Sequence, residues 1–528
     1  MPDRPNVLLI TTDQQIFDTL GFKNPKIKTP NLDRLAAEGV DFTRAYCPSP
    51  VCSPSRSSII TGLYPHAHHC WTIGVKLPED VPTVGETFHE HGYATSLIGK
   101  AHFQPLASDP DGPGGESIEC QPILRDLDFW RNFNETHTPW YGFDHVELAR
   151  NHADESHAGQ HYAIWMEEKG LKDWRDYFQP LPGEDRGPDC KAPVAEAGHG
   201  YGGRDDMHWK LPQEYHFTTW TGERTCAEIE KQHNSDTPFF CWSSFHDPHP
   251  PYVVPEPWAS MYDPKDMEVG ELVEGELEKM PPPHQMTRQK DVDWKQFVDT
   301  GHGNHGYGNH VCSKEELQAC QAIYYGMVSF IDDQVGRILD KLDDLGIADN
   351  TIVVFTTDHG HFIGQHGLNA KGAFHYEHLI KLPFIVRYPK EVPAGRSSDA
   401  IQSLVDLAPT FLDYCGIEIP GIMQGVSQRQ TWNNPNDAKK KARDWAICEM
   451  RHQYEAVHLR TFVNDRYKLT LYRDRDWGEL FDLQEDPDEI NNVFDDPAYA
   501  EVRCEVMRAF VNAEIEREMT RMPRICGA

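Results

Sequence analysis

Short apolar runs alternate with stretches of helical spacing through most of the chain. Asn6–Thr12 holds four consecutive aliphatic side chains, Val7 to Ile10, with no polar residue between them. A run of that kind predicts a strand covered on both faces. Residues 29–39 predict a helix, with Pro30 at its entry, Leu32, Leu35 and Ala36 on one face, and Gly39 as its stop. Thr83 and Glu86 have capping-box spacing and open a second helix ending at Gly92, followed by a strand over 93–99. Residues 237–245 read as another strand. A second capping box, Ser313 and Glu316, opens the longest helix, which carries Leu317, Cys320, Ile323, Tyr324, Met327, Phe330 and Ile331 at helical spacing and runs to about Leu345. Residues 350–357 and 382–389 are further strands. This alternation predicts an α/β fold, a large mostly parallel sheet sandwiched by helices.

Two regions break the pattern. Residues 105–215 are rich in Gly, Pro, Trp, His and Asp, and residues 266–312 contain MPPPHQM and GHGNHGYGNH. Both read as loop insertions on the functional edge of the sheet. The His-rich tract reads as a solvated loop or an oligomer contact in preference to a metal site. Beyond about residue 430, AICEM, RTFVND, YKLTLYRD and GELFDL have the length of antiparallel strands, and a helix follows near 499–520. The expected organisation is a catalytic α/β domain over 1–430 and a smaller antiparallel α+β subdomain over 431–528.

Composition narrows the partners. The 528 residues carry a formal net charge of -33, which argues against nucleic acid as the main partner, because phosphate binding needs clustered Lys and Arg. An anionic substrate stays open, since a site can be locally positive in an acidic protein. No run approaches the ~20 apolar residues of a membrane span. Residues 6–10 are too short for a secretory segment, so the cytoplasm is the expected location if Met1 is the native start. The 13 cysteines are odd in number and scattered, which suits reduced thiols better than a disulfide framework.

Several polar groups fall just past predicted strands. Asp13-Gln14 and Asp358-His359 each follow an apolar run and two threonines. On neighbouring strands of an open sheet these four would meet, and two carboxylates, an amide oxygen and an imidazole make a divalent-cation site. Taken singly, each aspartate reads first as a cap on a following turn; it is the matched pair that brings the metal reading level with it. Lys100 and His102 follow the strand over 93–99, and their spacing on extended chain points both to one side. His246 and His249 follow the next strand, and Lys371 lies in a Gly-flanked loop. Cys52, in VCSPSRSSIITG, reads either as a buried thiol or as a nucleophile at a helix N-terminus beside Arg56.

Cys52-Ser53-Pro54-Ser55-Arg56, continuing to Thr61-Gly62, resembles the type I sulfatase signature, C-x-P-x-R followed by Ser/Thr-Gly. The ordered set Asp13-Gln14, Cys52, Arg56, Lys100-x-His102, His249, Asp358-His359 and Lys371 resembles the sulfatase active site of the alkaline phosphatase superfamily. The similarity extends to GELFDLQEDPDEINNV near the C-terminus. The resemblance implies that Cys52 is oxidised to formylglycine by a maturation enzyme that reads the Pro and Arg. The hydrated aldehyde is then the nucleophile, and its second hydroxyl later expels sulfate. It implies one divalent cation, calcium by default and manganese as the alternative given His359, held by Asp13, Gln14, residue 52, Asp358 and His359. It gives Arg56 and Lys100 to the diol and Lys371 and His249 to the sulfate and the bridging oxygen. His249 is the expected acid and His102 the base at the second hydroxyl. The implied activity is hydrolysis of sulfate monoesters of a small molecule or saccharide. Gln14 and His359 depart from the Asp and Asn of many sulfatases and are similar to phosphonate monoester hydrolases, the alternative reading, whereas Lys100 and His102 are sulfatase-like. Some relatives place an Asn where this chain has Ile73.

Overall fold

The computed structural model describes residues 4–519 except 113, 182–183, 185–186, 188, 194–206, 291, 305 and 307–309. The apolar runs assemble into one eight-stranded sheet. Its strands are β1 (Asn6–Thr12), β2 (Val40–Phe42), β3 (Ala94–Gly99), β4 (His145–Leu148), β5 (Phe239–Ser244), β6 (Thr351–Thr357), β7 (Ile385–Arg387) and β8 (Arg396–Ser398). They lie in the order β8-β2-β7-β6-β1-β5-β3-β4. Only β7 runs against its neighbours, β6 and β2, and the other pairings are parallel.

The unbroken apolar run of β1 is explained by its central place. Val7 and Leu9 enter one core cluster. That cluster includes Ile59 and Ile60 of α1 (Cys52–Thr61), Val84 and Phe88 of α2 (Val84–Glu90) and Leu407 and Phe411 of α3 (Leu407–Tyr414). Leu8 and Ile10 enter the opposite cluster, with Leu32 and Leu35 from the helix Pro30–Ala37, Ile229 from Phe217–Asn234, and Ile331, Val335 and Ile338 from the long helix Lys314–Asp344. Successive side chains of a strand point to opposite faces, so a strand between two helix layers must be apolar at every position.

Both capping boxes are present, Thr83 with Glu86 and Ser313 with Glu316. Gly39 has a different role from the one its position predicts. The helix ends at Glu38, and a Cβ at Gly39 would lie 2.1 Å from the Val386 carbonyl oxygen. The glycine is there because β7 passes against it, not because the helix needs a left-handed terminator.

The last strands form a separate antiparallel sheet, β9 (Ala446–Arg451), β10 (His458–Val463), β11 (Tyr467–Tyr472) and β12 (Gly478–Asp482). The helix Ala500–Glu516 lies on it, with Phe510 stacked on Phe462 at 5.5 Å. The described part of the Gly/His tract is solvated at its start, where Gly301, His302 and Gly303 are exposed, and packed at Gly306 and His310. His310 is buried, its Nδ1 accepts from the Asn369 amide (3.1 Å), and a Cβ at Gly306 would lie 2.5 Å from the Lys371 carbonyl. The rest of the tract, 305 and 307–309, lies outside the described residues. The same insertion is tied to the β9–β10 loop: Gln453 Oε1 accepts from the Asp299 and Thr300 amides, and Asp299 accepts from the amides of Tyr454, Glu455 and Ala456. No helix among the described residues is long and apolar enough to cross a membrane.

Candidate active site

Register brings the polar residues together. Thr12 is level with Thr357, Thr11 with Ser244, and Gly99 with Ser244. Asp13, Asp358, the loop after β5 and Lys100 therefore leave the sheet in one row, at the carboxyl ends of four adjacent strands. Gly99 has φ +112, and a Cβ there would meet the Ser244 carbonyl at 1.8 Å, so only glycine lets β3 and β5 close up beneath Lys100.

The two aspartates are buried. The acidic and imidazole donors of Asp13, Asp358 and His359 lie with the Cys52 sulfur within 4.8 Å of one another. Asp358 Oδ1 accepts from the amides of Gln14 (3.0 Å) and His359 (2.9 Å), and its Oδ2 accepts from Arg56 Nε (2.9 Å). His359 Nδ1 donates to the Gly360 carbonyl (2.9 Å), which leaves the Nε2 lone pair facing the cluster. Burial keeps this imidazole neutral, pulling its pKa down to about 4. Gln14 sits in the left-handed region at φ 65. Its Nε2 is 2.6 Å from His361 Nδ1, so its Oε1 is the end turned to the site, where Lys371 Nζ donates to it (2.9 Å). Two carboxylates, an amide oxygen and a neutral imidazole are donors suited to a divalent cation, and the ammonium groups of Lys100 and Lys371 sit directly on them. Burial pushes the Asp13 carboxyl up, but Lys100, His249, His152 and Arg56 outweigh it and hold it well below the usual range.

Cys52 is the first residue of α1, with Val51 as its extended N-cap. Its sulfur lies 3.2 Å from His359 Nε2 and accepts from Lys371 Nζ (3.2 Å). Burial and then the Asp13 carboxylate push the thiol pKa up, against the pull of Lys100 and Lys371. The surroundings therefore disfavour a thiolate nucleophile, for all the positive end of the helix beneath it. Arg56, one turn on, is fully buried and donates from NH1 to Ser244 Oγ (2.7 Å) and the Lys100 carbonyl (3.0 Å). Its NH2, 3.9 Å from Asp13, has no hydrogen-bond partner among the described residues.

A family model for sulfatases matches residues 5–417. The chain belongs to the sulfatase family. A second model, for the C-terminal part of N-sulphoglucosamine sulphohydrolase, matches residues 364–516 of this sulfatase. It is 28% identical over 516 residues to the uncharacterized sulfatase YidJ of Escherichia coli strain K12, a match covering 96% of this chain and 87% of that one. It is 28% identical over 519 residues to an N-acetylglucosamine-6-O-sulfatase of Bacteroides thetaiotaomicron, covering 96% and 85%. Its structure superposes on a phosphonate monoester hydrolase of Agrobacterium radiobacter with a TM-score of 0.74 at 25% identity, covering 98% and 96% of the two chains.

In this sulfatase Lys100 and His102 do not share a side through extended alternation. His102 has φ 63, in a left-handed turn whose following amides, Phe103 and Gln104, donate to Glu119 Oε1 at 2.9 and 3.1 Å. Both His102 ring nitrogens are buried without partners among the described residues, and burial, with Arg150 and Lys100, holds the imidazole well below its ordinary pKa. His249 Nδ1 is hydrogen-bonded to the Pro250 carbonyl. Ile73 packs on the core. Sequence reasoning missed Glu119, Arg150, His152 and Glu155 in the first insertion, and Tyr324 on the long helix. Arg150 NH1 donates to Glu119 (3.0 Å), and the Tyr324 hydroxyl donates to the Gln14 carbonyl (2.9 Å) while accepting from the Ile16 amide (2.8 Å). His361, two residues past the noticed Asp358-His359 pair, was the one such residue with a nearby signal.

Proposed function

We propose that this chain hydrolyses sulfate monoesters at residue 52, with Cys52 converted to formylglycine by a maturation enzyme and one divalent cation, calcium before manganese, held by Asp13, Gln14, Asp358 and His359. The observation that carries the reading is a C-x-P-x-R cysteine that begins a helix inside a buried ring of these donors, where its own thiol is kept protonated. When present, the cation supplies Lewis acidity and the aldehyde hydrate supplies the attacking oxygen.

The side chains then divide the work. Arg56 braces Asp358 and keeps the two N–H groups of its buried Nη2, without a hydrogen-bond partner among the described residues, for negative charge developing at residue 52. Lys100 and Lys371 neutralise the diol and the sulfate oxygens. His249, with its Nδ1–H given to the Pro250 carbonyl, presents Nε2 to the bridging oxygen and protonates the leaving group only when Nε2 also carries a proton. Burial and then His152 oppose that charge in the free site, so the bound sulfate ester must hold it. His102, neutral and without a partner among the described residues, takes the proton of the second hydroxyl. The division into a catalytic unit over 1–430 and a subdomain over 431–528 belongs to the same reading. The twelve cysteines of the described residues are free thiols, which suits a reducing compartment such as the cytoplasm.

Gln14 and His359 favour a second reading, a phosphonate monoester or phosphodiester hydrolase using the same nucleophile, and the structural neighbour of that name fits it. Lys100 and His102 favour sulfate. Rates on an aryl sulfate, a phosphonate monoester and a phosphodiester, each with the same leaving group, separate the two. We expect the sulfate to be fastest; a wide preference for the phosphonate overturns the first reading.

A further inference from the structure

His152 has no part in the proposed chemistry, yet it sits at the centre of the site. It lies on the loop after β4. Its amide and Nδ1 both face Glu155 Oε2, at 3.0 and 3.1 Å. Its Nε2 accepts from the Lys100 ammonium (2.7 Å), which also donates to Asp13. With partners at both nitrogens, Glu155 on one and Lys100 with Asp13 (3.5 Å) on the other, the ring has one orientation. Its face lies on His249, centroids 3.7 Å apart and planes 15° apart. His249 has little else to set its plane. Among the described residues, the one hydrogen bond of its ring goes to the carbonyl of the next residue, Pro250. The two loops are also joined behind the rings, where His246 Nε2 donates to the Ala149 carbonyl (2.8 Å).

Asp13, His152 and His249 could also be read as a second cation site, since their donor atoms lie within 4.8 Å of one another. The stacking speaks against it. Rings nearly parallel at 3.7 Å carry parallel, not convergent, lone pairs, and the Lys100 ammonium already occupies the acceptor of His152.

We infer that His152 is a positioning residue for leaving-group departure: held by Glu155 and Lys100, its ring face sets the plane in which His249 meets the bridging oxygen of the ester. This rests on the reading of His249 as the proton donor. The consequence is selective. Proton donation matters most when the leaving alcohol is a poor leaving group and least when it is a good one. Misdirecting the donor by a fraction of an ångström should therefore slow esters of weakly acidic alcohols and leave those of acidic phenols nearly unchanged.

The test is kcat/KM of mature, metal-loaded enzyme on a series of aryl sulfates of graded phenol acidity, extended to an alkyl sulfate. The variants are His152→Ala, His152→Phe, His249→Ala and the double variant His152→Ala/His249→Ala. We expect His152→Ala to cost about 10- to 100-fold on the poorest leaving groups and little on the best, the scale of loss from displaced catalytic groups. His152→Phe keeps a ring face against His249 and should recover most of the loss; it also keeps the test alive if the alanine variant does not fold. The double variant should be no slower than His249→Ala. An equal loss across the series, or additive losses in the double variant, overturns the inference and assigns His152 to Lys100 alone. Should His249→Ala itself show no leaving-group dependence, the acid assignment fails; should it show one that neither His152 variant shares, only the positioning role fails.

Discussion

At residue 52 the protein surrounds a cysteine with everything a nucleophile needs and then keeps its thiol protonated. Burial and Asp13 push its pKa up against the two lysines, and a thiol offers no second hydroxyl to expel sulfate, so the unmodified chain should be nearly inert. Protein made with a formylglycine-generating system should give a residue-52 peptide with an aldehyde in place of the thiol by mass spectrometry, and protein made without it should keep the thiol and show almost no sulfatase activity. Full activity from the thiol form would contradict the assignment. His102 makes a second prediction at this scale. Its ring nitrogens have no partner among the described residues, and the turn that carries it is held by Glu119. His102→Ala should release one equivalent of leaving group in a burst and then turn over ~10²–10⁴-fold more slowly than wild type, the usual cost of losing a general base. A loss without a burst in stopped-flow would place His102 before leaving-group departure instead.

Between elements, the long helix Lys314–Asp344 has a task beyond covering the sheet. Tyr324 reaches from it to grip the segment Gln14–Ile16 by two hydrogen bonds, one of them to the carbonyl of Gln14, a non-glycine residue in the left-handed region. Such conformations cost of order 1–3 kcal/mol and persist only where the surroundings enforce them. Tyr324→Phe removes both bonds while keeping the ring. It should weaken metal binding by about 10–100-fold, the range for partners that orient metal ligands. Activity titrated against added calcium should shift to higher metal with an unchanged plateau. A lowered plateau at saturating metal would mean that the tyrosine serves the reaction in some other way.

At the scale of the whole molecule, a buried polar cluster joins the C-terminal sheet to the Lys371 loop and the second insertion. Lys468 on β11 is paired with Glu489 and donates to the carbonyl of His375 (2.7 Å), on the segment that follows Lys371. Glu479 on β12 is fully buried, hydrogen-bonded by Tyr472, with His284 3.8 Å from an oxygen that has no hydrogen-bond partner among the described residues. Burial raises its pKa to about 7, against the opposing pull of Tyr472 and Lys468. The folded state thus keeps a proton that the unfolded chain gives up near pH ~4.3. The sign follows from linkage: stability from this group is complete below that value and is lost as pH rises to about 7. Glu479→Gln should flatten the fall of melting temperature with pH across this interval. An identical pH profile in the variant would show that another group carries the dependence.

The chain's pattern was enough for the elements and for most of the site, because both are local statements. A strand between two helix layers must be apolar at every position, a capping box needs two side chains three residues apart, and a polar residue just past such a strand has nowhere to go but the sheet's edge. Asp13, Cys52, Arg56, Lys100, His249, Asp358, His359 and Lys371 were legible on those grounds once their order resembled a known signature. What only the tertiary structure decided is long-range. Gly39 is a glycine because Val386, far along the chain, passes over it. The Gly/His tract touches the Lys371 loop at Gly306 because a glycine fits against a carbonyl there. His152 and Glu119 lie in segments with no motif of their own, and Tyr324 reads in the sequence only as a buried position of a helix; they matter because folding lays them against His249, the turn after His102, and Gln14. Periodicity records which face of an element is buried; it carries no record of which distant side chain will be found there.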